Sequence, residues 1–264
     1  MKTDNLFDDG VVNDHIEAQR IKDLLLSIMN DDTPRVTARV SKPAIITAHD
    51  DIYLRVRASS PPTVTQRFAA SIRRYATGLV EQVHSESGPE RTTNVTIDEM
   101  LNTRRRTIGV EPIFPLLENA RRLDLPDAVF EHWTIRELQR IVIDLVIYSN
   151  DVVSYRKEEA EGNPHNLIAM VRREGRTAQQ AFDVVGSMLD VLYGDWTVAF
   201  EAVPSWGGQV DRDVAQYIQG IKNVAVGNVN WSFHSERYFG KMTVTVKETL
   251  VTDVLADIVV PVAA

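Results

Sequence analysis

The chain has no cysteine. This excludes a disulfide framework and any metal site built on thiolates. It also has no apolar run approaching the roughly 18 residues that a membrane span needs. Positive charge is in deficit: 29 Lys and Arg stand against 37 Asp and Glu, for a formal net charge of −8. A nucleic-acid partner wants a basic face, so none is expected. The first residues, "MKTDNLFDDG", are acidic and contain no apolar h-region. No signal peptide is therefore expected, and a cytoplasmic protein is. Without secretion, the sequon "NVT" at 94–96 is a chance match. The six histidines show no metal spacing with one another and no pairing with a nucleophile. His234, close to Arg237 in sequence, is expected at the surface or behind the site.

The sequence does have 264 residues, 44% of them hydrophobic, which is ample material for a core. Helical periodicity dominates. Residues 12–31 form one amphipathic pattern, with Asn13 or Asp14 as N-cap. The following 33–51 is an irregular connector, with a short helix near "DIYLRVRA". "SSPPTVTQRFAASIRRYATGLVEQVHSE" opens on Ser and Pro and continues as a helix. Thr96 and Glu99 have the spacing of a capping box, and that helix is interrupted by Gly109 and Pro112. Further helices are predicted over about 113–123, 134–162, 177–203 and 213–239. The β-branched last 24 residues, 241–264, receive no assignment. No linker or repeat divides the chain, so the expectation is a single all-α domain.

Chemistry concentrates in four short stretches. In "NDVVSYRKE", Asn150, Ser154 and Glu158 stand four residues apart. At about 3.6 residues per turn they share roughly one helix face. Such a row of oxygens suits a hard cation such as Mg²⁺, and the plain alternative is a helix end emerging into water. "DNLFDD" places Asp4 and Asp8 at i and i+4, where two like charges repel unless a cation lies between them. An ordinary acidic tail would look the same. "RRRTIG" at 104–109 packs three arginines before a helix break. It reads either as a solvated basic face or as a fork for anionic oxygens. "SERYFG" adds Arg237 beside Tyr238. Together the two oxygen-bearing rows and the arginines are what Mg²⁺-bound diphosphate requires.

The chain resembles the class I terpene synthases, in particular the fungal, basidiomycete-type sesquiterpene synthases. The resemblance rests on four matches. "DNLFD" fits the family's aspartate-rich motif through Asp4, Asn5 and Asp8, with Asn at its second position. "NDVVSYRKE" fits N-D-x-x-S-x-x-x-E without departure, "RRRTIG" fits R-R-x-T-x-G, and Arg237-Tyr238 fits the late R-Y pair. The resemblance implies a helical bundle and three Mg²⁺ ions held by Asp4, Asp8, Asn150, Ser154 and Glu158. It implies that Lys157, Arg237 and Tyr238 reach the diphosphate and that Arg104 senses it. Ile108 and Gly109 correspond to the segment whose backbone faces the substrate. The implied reaction ionises farnesyl diphosphate, releases diphosphate and cyclises the cation in a dry pocket. The implied partner is that prenyl diphosphate, and the implied state a monomer or weak homodimer.

Ile143, Val146 and Ile147 lie upstream of Asn150 on its helix face, as pocket wall or plain core. Trp231 is a candidate aromatic wall by the cation–π argument, or a buried structural residue. A chain-elongating prenyl synthase would carry a second aspartate-rich motif in place of Asn/Ser/Glu, and is discounted. The alternative of another class is a helical remnant without catalysis that binds diphosphate or a partner. It is motivated by the aspartate motif's position at residue 4, where the family has a preceding helical segment. On either reading the chain is expected to be a class I terpene synthase bundle that is incomplete at the N-terminus and lacks the first helices. Residues 1–264 alone are then expected to express poorly and give little cyclic product, while an N-terminally extended form cyclises.

Overall fold

The computed structural model describes residues 15–29, 44–87, 95–161 and 166–254, and among them every regular element is helical. The contacts divide the chain at Asp124/Leu125 into two compact units.

In the first unit, α1 (His15–Ile28), α2 (Ala44–Ser59) and α3 (Pro62–Ser87) share one apolar seam. Ala18, Ile21 and Leu25 meet Ile46, Ala76 and Val80. Nearer the other end of α2, Tyr53 and Val56 pack on Phe68 and Ile72. The helix expected near "DIYLRVRA" is longer than predicted, because Ile46 is wholly buried and draws the preceding residues into the helix. Helix α4 (Ile97–Thr107) begins as the sequence predicts. Thr96 accepts from the Glu99 amide while the Glu99 carboxylate accepts from the Thr96 amide. Helix α5 (Ile113–Arg121) is tied to α3 by Arg67 and Glu118, whose carboxylate is 1% exposed and accepts at 2.7 Å. Helices α3 and α4 approach closely at Gly78. A β-carbon there would lie 2.8 Å from Arg106 Cβ, too close for any side chain but hydrogen.

The second unit is organised around α7 (Trp133–Glu161), preceded by the short α6 (Asp127–Glu131). Helices α8 (Leu167–Arg173), α9 (Ala178–Glu201) and α10 (Gly208–Ser232) all pack on α7. The run "IVIDLVIYS" is rich in β-branched residues yet helical, because Ile141, Val142 and Ile147 are buried and packing overrides propensity. Arg172 of α8 reaches Glu159 of α7 at 2.6 Å, with both side chains almost fully buried. Tyr155 completes this network: its hydroxyl donates to Glu159 at 2.7 Å and accepts from Arg172. Burial and the Glu159 carboxylate raise the Tyr155 pKa to about 12, so the phenol stays protonated at neutral pH. Helix α10 ends at Ser232, earlier than the periodicity suggests. The chain then turns and forms a single 3₁₀ turn at Gly240–Met242 and α11 (Thr243–Thr249). Val246 of α11 packs with Phe239 against Val153 of α7. The unassigned tail therefore begins as a helix that docks on the helix carrying the Asn150 row.

Two stability outcomes follow. Gly78→Ala should cost about 1–3 kcal/mol through overpacking against Arg106, read as a lower denaturation midpoint at unchanged slope. Arg172→Met should cost about 3–5 kcal/mol by leaving Glu159 buried and unpaired. Thermal unfolding checks both, and a melting temperature equal to that of the unsubstituted protein would refute either.

Candidate active site

Asn150, Ser154 and Glu158 occupy the last turns of α7, on the side where the post-α10 turn folds back. Ser154 is 1% exposed, whereas Asn150 and Glu158 are half-buried at the edge of the unit. An amide, a hydroxyl and a carboxylate thus present oxygens from one face. This donor set fits a hard divalent cation of the Mg²⁺ type, not a thiophilic metal. Among the described residues no group of three or more His, Cys, Asp or Glu converges as a metal site. A cation on this face must therefore rely on the amide and hydroxyl as well as on Glu158. Asp4, Asn5 and Asp8 of the aspartate-rich motif lie outside the described residues.

The late Arg-Tyr pair is brought to the same row, Tyr238 from 88 residues downstream of Asn150. Asn150 Nδ2 donates to the Tyr238 hydroxyl at 2.9 Å. The Arg237 guanidinium carbon lies 5.8 Å from the Tyr238 ring centre. Burial, the largest influence, raises the Tyr238 pKa. The Glu158 charge pushes in the same direction, while Arg237 and the Asn150 hydrogen bond oppose it. Tyr238 therefore feels the carboxylate, the amide and the guanidinium together. Trp231, at the end of α10, meets the Tyr238 ring edge-to-face with centroids 6.1 Å apart. It is 49% exposed, so it is not a buried structural residue. Lys157 is half-buried on α7 beside Glu158. Val146 and Ile143 are buried at 5% and 9% exposure, and Ile147 is fully enclosed in the core. His234 is exposed, with Nδ1 at 2.6 Å from the Asn230 carbonyl and Nε2 at 2.7 Å from Lys247 Nζ.

Arg104, Ile108 and Gly109 belong to the first unit. The Arg104 carbonyl accepts from the Ile108 amide at 2.8 Å and ends α4. Gly109 then adopts φ +77°, which turns the chain before Val110 is buried. The three arginines differ in surroundings. Arg104 has its Nε buried, Arg105 donates to Asn102 at 2.9 Å, and Arg106 pairs with the exposed Glu81.

Two residues that the motif reading left unassigned hold the row in place. Asp151 is fully buried and accepts from the Leu167 amide at 2.8 Å. Asn166, also fully buried, caps α8 through the Ile168 and Ala169 amides. Its own amide reaches back to the Asp151 carbonyl and to Glu158. A signal for it was present: "HNLIAM" sets an Asn immediately before an apolar run, the pattern of a helix start.

The model of terpene synthase family 2, C-terminal metal binding, matches residues 3–194. Terpene cyclase 4 of Gibberella fujikuroi is 34% identical over 247 residues, which is 93% of this chain and 66% of that protein. A sesquiterpene synthase of Cyclocybe aegerita is 35% identical over 236 residues, 88% of this chain and 65% of its own. The chain thus spans about two thirds of the length of these curated relatives. Among solved structures, a cucumene synthase variant superposes with a TM-score of 0.76 at 20% identity, covering 89% of this chain and 77% of the other. Germacradien-4-ol synthase from Streptomyces citricolor gives 0.73 at 20% identity, covering 88% and 74%. These likenesses give the fold, that of the all-α class I terpene synthases. With a family model matched across both units, including the helix that bears Asn150, Ser154 and Glu158, the chain belongs to the terpene synthase family.

Proposed function

We propose that the protein is a Mg²⁺-dependent sesquiterpene synthase that ionises farnesyl diphosphate, releases diphosphate and cyclises the remaining cation. The observation that carries this reading is the Asn150, Ser154 and Glu158 row with Tyr238 hydrogen-bonded to its first member. Family membership supports the reaction class, and a fungal relative named as a sesquiterpene synthase supports the farnesyl chain length. When bound, three Mg²⁺ ions would neutralise the charge that develops on the departing diphosphate.

The chain's own groups divide the remaining work. Asn150, Ser154 and Glu158 hold cations from α7, and Asp4 and Asp8 do so from the aspartate-rich row. Arg237 donates N–H groups to diphosphate oxygens, and charge assistance makes these bonds strong. The Tyr238 oxygen already accepts from Asn150, so its own proton is directed to another acceptor, the anion. Its raised pKa keeps that proton in place. Lys157 contributes a point charge and Arg104 a planar fork. Ile108 and Gly109 form the segment whose backbone carbonyl faces the substrate, with Gly109 supplying its turn. Val146 and Trp231 line the hydrocarbon end, where the Trp231 ring face stabilises positive charge. No protein nucleophile enters the reaction, and one beside the cation would be alkylated. The partner is a prenyl diphosphate, the expected setting is the cytoplasm, and the expected state is a monomer or weak homodimer.

Incubation of the full-length form of the protein with farnesyl diphosphate and Mg²⁺, followed by headspace mass spectrometry and a diphosphate assay, tests this reading. Diphosphate release and a cyclic C15 volatile are expected, and both should stop on chelation. Release that persists without divalent ions would sink the metal mechanism. Failure to consume any prenyl diphosphate would sink the reading itself.

Three substitutions assign roles. Glu158→Gln should lower kcat/KM by an amount on the order of 3–4 kcal/mol, comparable to losing one donor at a developing anion. Arg104→Lys should also be damaging, because a point charge cannot replace the fork. Arg106→Lys should be nearly silent, since an exposed pair such as Arg106–Glu81 contributes about 0–1 kcal/mol. Steady-state kinetics decides, and a series in which Arg106 matters and Arg104 does not would reverse the assignment.

A further inference from the structure

We infer that Asn166, which lies outside the motif, is a positioning residue for the α7 cation row; the inference rests on the metal reading above. Its side chain works at both ends. The Oδ1 accepts from the Ile168 and Ala169 amides, at 2.8 and 3.4 Å, and starts α8. The Nδ2 donates to Glu158 Oε2 at 2.9 Å and to the Asp151 carbonyl at 2.8 Å, and it lies 3.4 Å from Ser154 Oγ. One amide group therefore touches two of the three proposed cation-holding side chains and the backbone of the residue following the third.

The geometry explains why an amide suits this position. Asn166 is fully buried, so its two donor hydrogens need acceptors, and α7 supplies them. A hydrogen bond to one carboxylate oxygen fixes the Glu158 rotamer and orients its second oxygen. A neutral donor does this without cancelling the charge that a cation requires. Arginine or lysine here would form an ion pair and compete with the metal. Aspartate would repel Glu158. The reverse strand of the clamp, Asp151 accepting from the Leu167 amide, fixes where Asn166 sits relative to α7. The segment before α8 is thus held at two points, and Asn166 cannot drift without releasing one of them.

Capping and positioning can be separated. Serine caps helices about as well as asparagine but is too short to reach Glu158. Alanine does neither. Mn²⁺ binding in the presence of inorganic diphosphate, followed by electron paramagnetic resonance, reads the row directly and needs no turnover. Far-UV circular dichroism and a melt monitor folding. If Asn166 positions the row, Asn166→Ser and Asn166→Ala should both weaken Mn²⁺ binding by about tenfold or more, the effect usual for partners that orient metal ligands. Only Asn166→Ala should also lose the stability of the cap. Mn²⁺ affinity of Asn166→Ser equal to that of the unsubstituted protein would overturn the inference and leave Asn166 a helix cap. Should the serine variant fail to fold, Asn166→Asp keeps the shape and the cap but not the donor. Weaker Mn²⁺ binding there supports positioning, and unchanged or tighter binding overturns it. If the unsubstituted protein binds no Mn²⁺ with diphosphate, the metal reading falls and takes this inference with it. Equal binding by protein and variant removes this inference alone.

Discussion

The attachment of α8 to α7 is the constraint on which the second unit depends. A seven-residue helix is too short to stand alone, because nucleation costs more than a single turn returns. It exists here because buried polar groups on α7 complete it. The Asp151 carboxylate takes the Leu167 amide, Asn166 caps the next turn, and Arg172 closes the far end on Glu159. Each of these groups is buried, and a missing partner would leave a donor or a charge unsatisfied in the core. The arrangement therefore fixes both the path of the chain after α7 and the register in which α7 presents its outward oxygens.

The same helix makes the apolar and polar halves of the unit one object. Upstream of Asn150 its side chains are core, as with Ile141, Val142 and Ile147. Downstream, Val153 still packs inward against Phe239 and Val246 while Ser154 and Glu158 take the other side. Docking of the post-α10 turn on Val153 carries Tyr238 to Asn150, so an apolar contact sets the position of a polar one. In the first unit, a glycine at the α3–α4 crossing does comparable work by absence, since Gly78 lets α4 lie close enough to α3 for Arg106 to reach Glu81.

Much of this was legible in the sequence where the signal is local. The capping box at Thr96, the long amphipathic patterns of α3, α7 and α9, and the break at Gly109 depend on residues a turn apart. The Asn150 row was legible because a four-residue spacing maps directly onto a helix face. What escaped depended on distant partners. Helix α8 is short and preceded by "EGNPHN", which reads as loop until Asp151 and Glu158 are seen to complete it. The tail from Lys241 received no assignment because its residues are β-branched and lack punctuation, yet Val246 is helical and packed. Trp231 could be read equally as core or wall, and only its half exposure separates the two.

Glu158 and Glu159 are neighbours in sequence with the same side chain, yet the fold gives them opposite characters. Glu159 meets a guanidinium in the interior and is spent as half of an ion pair. Glu158 accepts instead from the neutral amide of Asn166 and is half-buried at the edge of the unit. One residue step on an α-helix is a rotation of about 100°. A single insertion before the two glutamates would turn Glu158 into the direction of Glu159, toward the buried guanidinium, and a single deletion would turn Glu159 into the direction of Glu158; neither change keeps both carboxylates on their partners. Length, not only composition, is thus under constraint between Asn150 and Arg172, and point substitutions there should be tolerated far more readily than any change of frame along the helix.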